Sequence, residues 1–115
     1  MQAVRIAGAG STPFGVASER TGRDIFGEAA RIAIDDSGVP RADIDRLCYG
    51  NFVGTVTERQ GHQGPLMAAA AGVTAPATRY ESACASGGVA LKSAVEAVRS
   101  GAVDVVIVGG MERMH

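Results

Sequence analysis

The segment best suited to chemistry is Glu81-Ser82-Ala83-Cys84-Ala85-Ser86-Gly87-Gly88, in which a cysteine is surrounded by small residues. Cys84 falls between a short predicted strand and the start of a predicted helix. The free N–H groups and the dipole of a helix N-terminus favour thiolate over thiol, and the thiolate is the nucleophilic form. Gly87 and Gly88 carry no side chain that would obstruct a bulky ester. This pattern is typical of a cysteine nucleophile.

Packing is the alternative role for Cys84, because free cysteines are among the most buried residue types. Residue types and spacing leave both interpretations open. Cys48 lies mid-strand between Leu47 and Tyr49, and core packing is the favoured interpretation there. His62 precedes a helix and is expected at the surface or an interface, while the terminal His115 indicates little. These cysteines and histidines show no ligand spacing, so no metal site is predicted.

Four strands and three helices are predicted to position the cysteine. The strands are expected at residues 4–7, 47–53, 77–80 and 103–108, the last being a β-branched run typical of a strand buried on both faces. The first helix starts with a capping box at Thr21 and Asp24 and ends at Gly38; the others cover residues 60–72 and 86–100. The order β-α-β-α-β-α-β predicts the α/β class, with a parallel or mixed sheet covered by helices.

Composition narrows the possible partners. The 115 residues include 11 Lys plus Arg and 12 Asp plus Glu, for a net charge of -1. This balance forms no basic patch, so neither nucleic acid nor an anionic membrane surface is an expected partner. Neither a signal peptide nor an apolar run long enough for a membrane span is recognised. We therefore expect a soluble, cytoplasmic protein.

Two motifs resemble the amino-terminal half of the thiolases, a family also called acetyl-CoA acetyltransferases. They are Cys84-Ala85-Ser86-Gly87-Gly88 ahead of a helix, and Gly109-Gly110-Met111-Glu112-Arg113-Met114 after a buried strand. Agreement extends through Pro13-Phe14-Gly15 and Tyr49-Gly50-Asn51. The stretch Gly61-His62-Gln63-Gly64-Pro65 resembles the sterol-carrier-protein type of thiolase and its bacterial and archaeal relatives.

The resemblance implies that Cys84 carries the acyl group as an enzyme thioester. It implies that the Cys84 backbone N–H contributes to an oxyanion hole, and that Gly87 and Gly88 let the substrate approach this backbone. Coenzyme A thioesters would be the substrates, for Claisen condensation or thiolysis, with no permanently bound cofactor; the residues that bind coenzyme A are unknown.

The resemblance also bears on domain organisation. Residues 1–115 would form an amino-terminal thiolase-like domain, a mixed sheet covered by helices that is an incomplete half of the thiolase fold. The family's second half brings a histidine in a Gly-His-Pro context, an Asn-Glu or His-Glu motif and an acid/base Cys-x-Gly. A second chain supplying that half, or a homo-oligomer, is therefore the expected partner.

Two positions depart from the family pattern. Glu81 stands where biosynthetic thiolases have asparagine, and His115 stands where serine or threonine is usual. Both concern the subtype and the substrate range. Two alternatives stay open: a non-catalytic scaffold subunit of the same fold, and a relative of the lipid-transfer aldolases or ketoacyl synthases.

Overall fold

A three-stranded parallel sheet lies between helices on both faces. The computed structural model describes residues 3–15 and 19–114. In chain order the elements are α1 (Gly22–Ser37), a 3-10 turn (Arg41–Asp43), β1 (Arg46–Gly50), α2 (Gly54–Thr57), α3 (Gln63–Ala71), β2 (Ala77–Tyr80), α4 (Ser86–Arg99) and β3 (Val106–Gly110). The strand order is β2-β1-β3. The predicted α/β class is confirmed, and the described strands are all parallel.

The register of the sheet brings the carboxyl ends of the three strands together. Gly50 of β1 is paired with Tyr80 of β2 on one side and with Gly110 of β3 on the other. Segments that leave the three strands therefore emerge side by side at one edge, which is where open parallel sheets bind ligands.

Alternation along β1 supplies both halves of the core. Leu47 and Tyr49 face α1 and α3, where Tyr49 meets Phe26 edge to face with ring centroids 5.1 Å apart. Cys48 faces α4 and packs with Ala90 and Ala94. Since successive strand residues point to opposite faces, one apolar strand can hold both helical layers.

Helix α1 begins and ends as the sequence predicts. The Thr21 hydroxyl accepts a hydrogen bond from the Asp24 N–H, and the Asp24 carboxylate accepts one from the Thr21 N–H, both at 3.1 Å. Gly38 adopts a left-handed conformation with φ 70° at the other end. These bonds satisfy N–H groups that lack a partner within the helix, so the capping box defines its start.

The prediction of a strand at residues 4–7 is wrong. Residues 3–14 form no regular element, and Ile6 is 84% exposed. The following segment lies on helix α1, where a Cβ at Gly8 would come 2.5 Å from the carbonyl oxygen of Ala33. The Ala9 N–H donates to the Asp36 carboxylate at 3.0 Å. Contacts with α1 thus replace sheet pairing for this segment.

Strand β3 is half-buried, whereas residues 103–108 were expected to be fully buried. Alternate side chains of residues 105–108 do reach both helical layers. Val105, just before the strand, and Ile107 lie on one face, and Val106 and Val108 lie on the other. Within the described residues, however, β3 is an outer strand of the sheet. A cleft of about 380 Å³ borders it, with residues 4–8 on the opposite wall. The β3 side chains are less buried than expected because no further strand covers the outer edge of β3 within the described residues.

Asp45 is expected to make the fold sensitive to acid. Its carboxylate accepts the N–H groups of Asp104 and Val105, each at 3.0 Å, which holds the pKa of Asp45 below its ordinary 3.8. A carboxyl with a lowered folded-state pKa stabilises fully above its unfolded value, and this stabilisation is lost as pH falls through the folded value. Asp45→Asn should therefore lower the urea midpoint at pH 7 but change it less near pH 3. Asp35→Asn, at an exposed position of α1, is the charge-matched control. An Asp45→Asn effect independent of pH would contradict this role.

Candidate active site

Cys84 lies in the turn between the end of β2 at Tyr80 and the start of α4 at Ser86. Its thiol is free and the residue is exposed. The turn follows the carboxyl end of β2, so the sulfur is at the edge where all three strands end. The predicted placement of Cys84 at an exposed strand-to-helix junction is confirmed.

The two glycines after the cysteine leave open space at the first turn of α4. Outside its chain neighbours and the backbone of its own helix, a Cβ built on Gly87 or on Gly88 would meet no heavy atom of the described chain within 4 Å. Ala85, at the N-cap position, provides no side-chain hydrogen bond to the helix. The first N–H groups of a helix have no intrahelical partners and attract negative charge. The surface beside Cys84 is thus unobstructed and able to receive an anionic oxygen.

Gly50 brings β1 against the start of α4. A Cβ at this position would lie 2.7 Å from the Gly87 Cα, 2.7 Å from the Ser86 carbonyl oxygen and 2.8 Å from the Gly87 nitrogen. These are backbone atoms, which cannot rotate away as a side chain would. The absence of a side chain at Gly50 therefore sets how closely α4, the helix that follows Cys84, approaches the sheet.

A buried amide joins the segments that follow β1 and β3. The Asn51 side chain is 1% exposed and donates to the Met111 carbonyl and to the Glu112 carboxylate, both at 2.6 Å. Its carbonyl oxygen accepts the Gly54 N–H at 2.9 Å and the Arg79 guanidinium at 3.2 Å. All of its polar atoms are thus satisfied, as a buried amide requires.

Glu112 and Arg113 continue this support. The Glu112 carboxylate accepts the Phe52 N–H at 2.8 Å. Arg113 pairs with Glu58 at 3.2 Å, and both side chains are largely shielded from water. The terminal motif therefore fixes the loops around the carboxyl edge of the sheet. Asn51 and Glu112 both lie in motifs that resemble the family, but the sequence alone indicates no role for either side chain.

Comparison with known proteins decides the family. Residues 4–115 match the family profile described as thiolase, N-terminal domain. The chain belongs to the thiolase family. An acetyl-CoA acetyltransferase of Methanothermobacter thermautotrophicus is 44% identical over 115 residues, which are 99% of this chain and 30% of that protein. The resemblance seen in the sequence is confirmed.

Two further comparisons refine this picture. A sterol carrier protein 2 of Gallus gallus is 31% identical over 116 residues, covering 96% of this chain and 20% of that protein. The solved acetyl-CoA acetyltransferase of Syntrophomonas wolfei superposes with a TM-score of 0.76 at 22% identity, over 88% of this chain and 26% of that one. Both expected likenesses, to the sterol-carrier-protein type and to archaeal relatives, are found, and the archaeal protein is the more similar. This chain spans about 30% of the length of that archaeal relative.

Cys48 occupies a quite different environment from Cys84. It is 1% exposed, and burial raises the pKa of its thiol. Cys48-Tyr49-Gly50 matches the family's Cys-x-Gly pattern in sequence. The Cys48 thiol, however, points into the core beneath α4 and contacts the Tyr80 hydroxyl at 4.0 Å. A buried thiol with a raised pKa is poorly suited to proton transfer with a substrate. Core packing, the favoured interpretation from sequence, describes it.

Of the two histidines, the structure describes His62. His62 is exposed at the start of α3. Its backbone N–H donates to the Gln60 side chain at 2.8 Å and its carbonyl accepts the Leu66 N–H at 3.2 Å, while its imidazole bonds to none of the described residues. His115 lies outside the described residues. Within residues 3–15 and 19–114, no group of three or more His, Cys, Asp or Glu side chains is arranged to hold a metal ion. Nor does the described part of the chain contain a helix long and apolar enough to cross a membrane.

Proposed function

We propose that Cys84 is the acyl-accepting nucleophile of a thiolase-type acyltransferase. The observation that carries this proposal is the exposed free thiol at the strand-to-helix turn of a thiolase-family chain. A cysteine retained for packing would be buried, as Cys48 is, so the scaffold alternative is the weaker of the two.

The Cys84 thiolate would attack the carbonyl carbon of an acyl-CoA. A new sulfur–carbon bond forms, the bond to coenzyme A breaks, and coenzyme A leaves with the proton that the thiol has lost. The Cys84 backbone N–H, beside the start of α4, would stabilise the oxyanion of the tetrahedral intermediate. The acetyl group would then pass to the α-carbon of a second acetyl-CoA, or, in the reverse direction, thiolysis would cleave a 3-ketoacyl-CoA.

Coenzyme A thioesters are the proposed substrates, since the archaeal relative is named an acetyl-CoA acetyltransferase. No permanently bound cofactor is required, because the thiol itself carries the acyl group. We place this chemistry in the cytoplasm, as the composition suggests.

Residues 1–115 would act as the amino-terminal domain of the enzyme. The second half, with the histidine and the acid/base cysteine, would come from another polypeptide or from further copies in an oligomer. The apolar cleft beside β3 supports such an association, because parallel sheets are normally covered on both faces and continued at their edges.

Incubation with acetyl-CoA tests the nucleophile directly. We expect one acetyl group per chain, located by peptide mapping on the peptide that contains Cys84. Cys84→Ala should remove the adduct and Cys48→Ala should leave it. Acetylation at Cys48 alone would refute the assignment.

Gly88 provides a separate test of the open surface beside the thiol. Gly88→Ala adds a methyl group that meets no atom within 4 Å outside its chain neighbours and the backbone of its own helix. Alanine favours a helix by about 1 kcal/mol over glycine. The free energy of unfolding should therefore be unchanged or higher, while Cys84 acetylation should fall about tenfold or more if the thioester approaches over this glycine.

Gly61→Ala is the matched control, since a Cβ at Gly61 also meets nothing within 4 Å but lies ahead of α3. It should leave acetylation unchanged. Acetylation of Gly88→Ala at the parent rate would show that the substrate does not pass over this turn.

A further inference from the structure

The residue immediately before the nucleophile has an uncommon backbone conformation. Ala83 has φ +50°, in the left-handed region that residues with a Cβ seldom adopt. The φ and ψ angles of Ala83 set the direction in which Cys84 leaves the chain. Whatever holds Ala83 in this conformation therefore also orients the thiol and the N–H of Cys84.

Side chains on either side bind both backbone polar groups of Ala83. The Glu81 carboxylate accepts the Ala83 N–H at 2.7 Å, and the Ser86 hydroxyl donates to the Ala83 carbonyl at 2.7 Å. The Ser86 oxygen also accepts the Ser82 N–H at 2.9 Å. Ser86 is only 5% exposed, so water competes little for the two bonds that its hydroxyl makes.

We propose that Glu81 and Ser86 are positioning residues for Cys84. Together they form a clamp on Ala83 that holds the nucleophile turn in its strained geometry; neither needs to touch the substrate. This inference rests on the proposed function of Cys84. It also gives a role to Glu81, the position at which this chain departs from the asparagine of biosynthetic thiolases.

The test compares variants of the whole 115-residue chain by the acetyl-CoA acetylation rate of Cys84. Ser86→Ala should lower the rate about tenfold, because small displacements of a reacting group are costly. Adding Ala83→Gly should recover much of this loss, since glycine adopts positive φ without steric strain. Glu81→Ala should also slow acetylation, whereas Glu81→Gln, which keeps an acceptor oxygen, should stay within about twofold of the parent.

Ser82→Ala is the matched control. It removes a hydroxyl from an exposed position of the same turn but keeps the N–H that Ser86 accepts. Its acetylation rate should equal that of the parent. The buried thiol of Cys48 reports on unfolding, and it should stay protected from iodoacetamide in every variant.

Amide hydrogen exchange separates the clamp from the proposed function. In Ser86→Ala the Ser82 amide should exchange about five- to tenfold faster, and in Glu81→Ala the Ala83 amide should do so, whether or not Cys84 is acetylated. A parent chain that is never acetylated at Cys84 would refute the function and leave the clamp to be judged by exchange. Unchanged exchange, an unchanged acetylation rate in Ser86→Ala, or a loss that coincides with Cys48 labelling would each overturn the positioning role.

Discussion

When the 115-residue chain is purified alone, we expect acetyl-CoA to acetylate Cys84 once per chain, with no measurable catalytic turnover. Turnover needs one group to activate the thiol and another to move the α-proton of acetyl-CoA. Each such acid/base group typically contributes about 10²–10⁴-fold, so two absent groups would cost about 10⁴–10⁸-fold. Acetoacetyl-CoA thiolysis in the presence of coenzyme A is the assay, with Cys84→Ala defining the background.

Addition of a polypeptide that carries the second half of a thiolase should restore steady thiolysis. Parallel light scattering should show that the two chains associate. Steady thiolysis by the 115-residue chain alone, abolished by Cys84→Ala, would instead place the base within these residues. His62, the internal histidine, would then be the first residue to substitute.

Gly50→Ala is expected to cause a large loss of stability. The new methyl group would come within 2.8 Å of backbone atoms of Ser86 and Gly87. Because a buried backbone cannot yield locally, either β1 or α4 must shift, and we expect the free energy of unfolding to fall by about 3 kcal/mol. Urea denaturation monitored by circular dichroism measures this loss.

Gly87→Ala is the control from the opposite side of this contact. Its Cβ would point into open space, so its stability should stay within about 1 kcal/mol of the parent. Gly50→Ala should also slow Cys84 acetylation under folding conditions, because a displaced α4 moves the nucleophile turn. A Gly50→Ala chain as stable as the parent would show that the approach of α4 to the sheet is not fixed by this glycine.

Local sequence signals determined the elements on either side of Cys84. The capping box at Thr21 and Asp24 lies within four residues, and the structure forms it as predicted. The strand at residues 77–80 and the helix that follows Cys84 likewise lie where the sequence places them. Helix caps and the start of a helix depend on neighbours along the chain, so their chemistry can be recognised without knowing the fold. The exposed placement of Cys84 follows from that same local order.

Tertiary structure decided the features that depend on distant partners. Residues 4–7 have the composition of a strand, but the segment extends along α1 because Gly8 and Ala9 find contacts there. The run at 103–108 has the β-branched pattern of a central strand, yet its position at the side of the sheet leaves β3 half-buried.

The supports of the site depend equally on packing. Asn51 donates a hydrogen bond to Glu112, which is 61 positions away in the sequence, and no local sequence pattern predicts such a contact. The clamp on Ala83 involves residues only a few positions apart. The positive φ of Ala83 nevertheless could not be predicted from the sequence, because it depends on the burial of Ser86 at the start of α4. The sequence thus indicated the residue that we propose as the acyl carrier. Tertiary packing decided how Cys84 is oriented, because burial and backbone strain arise only in the folded chain.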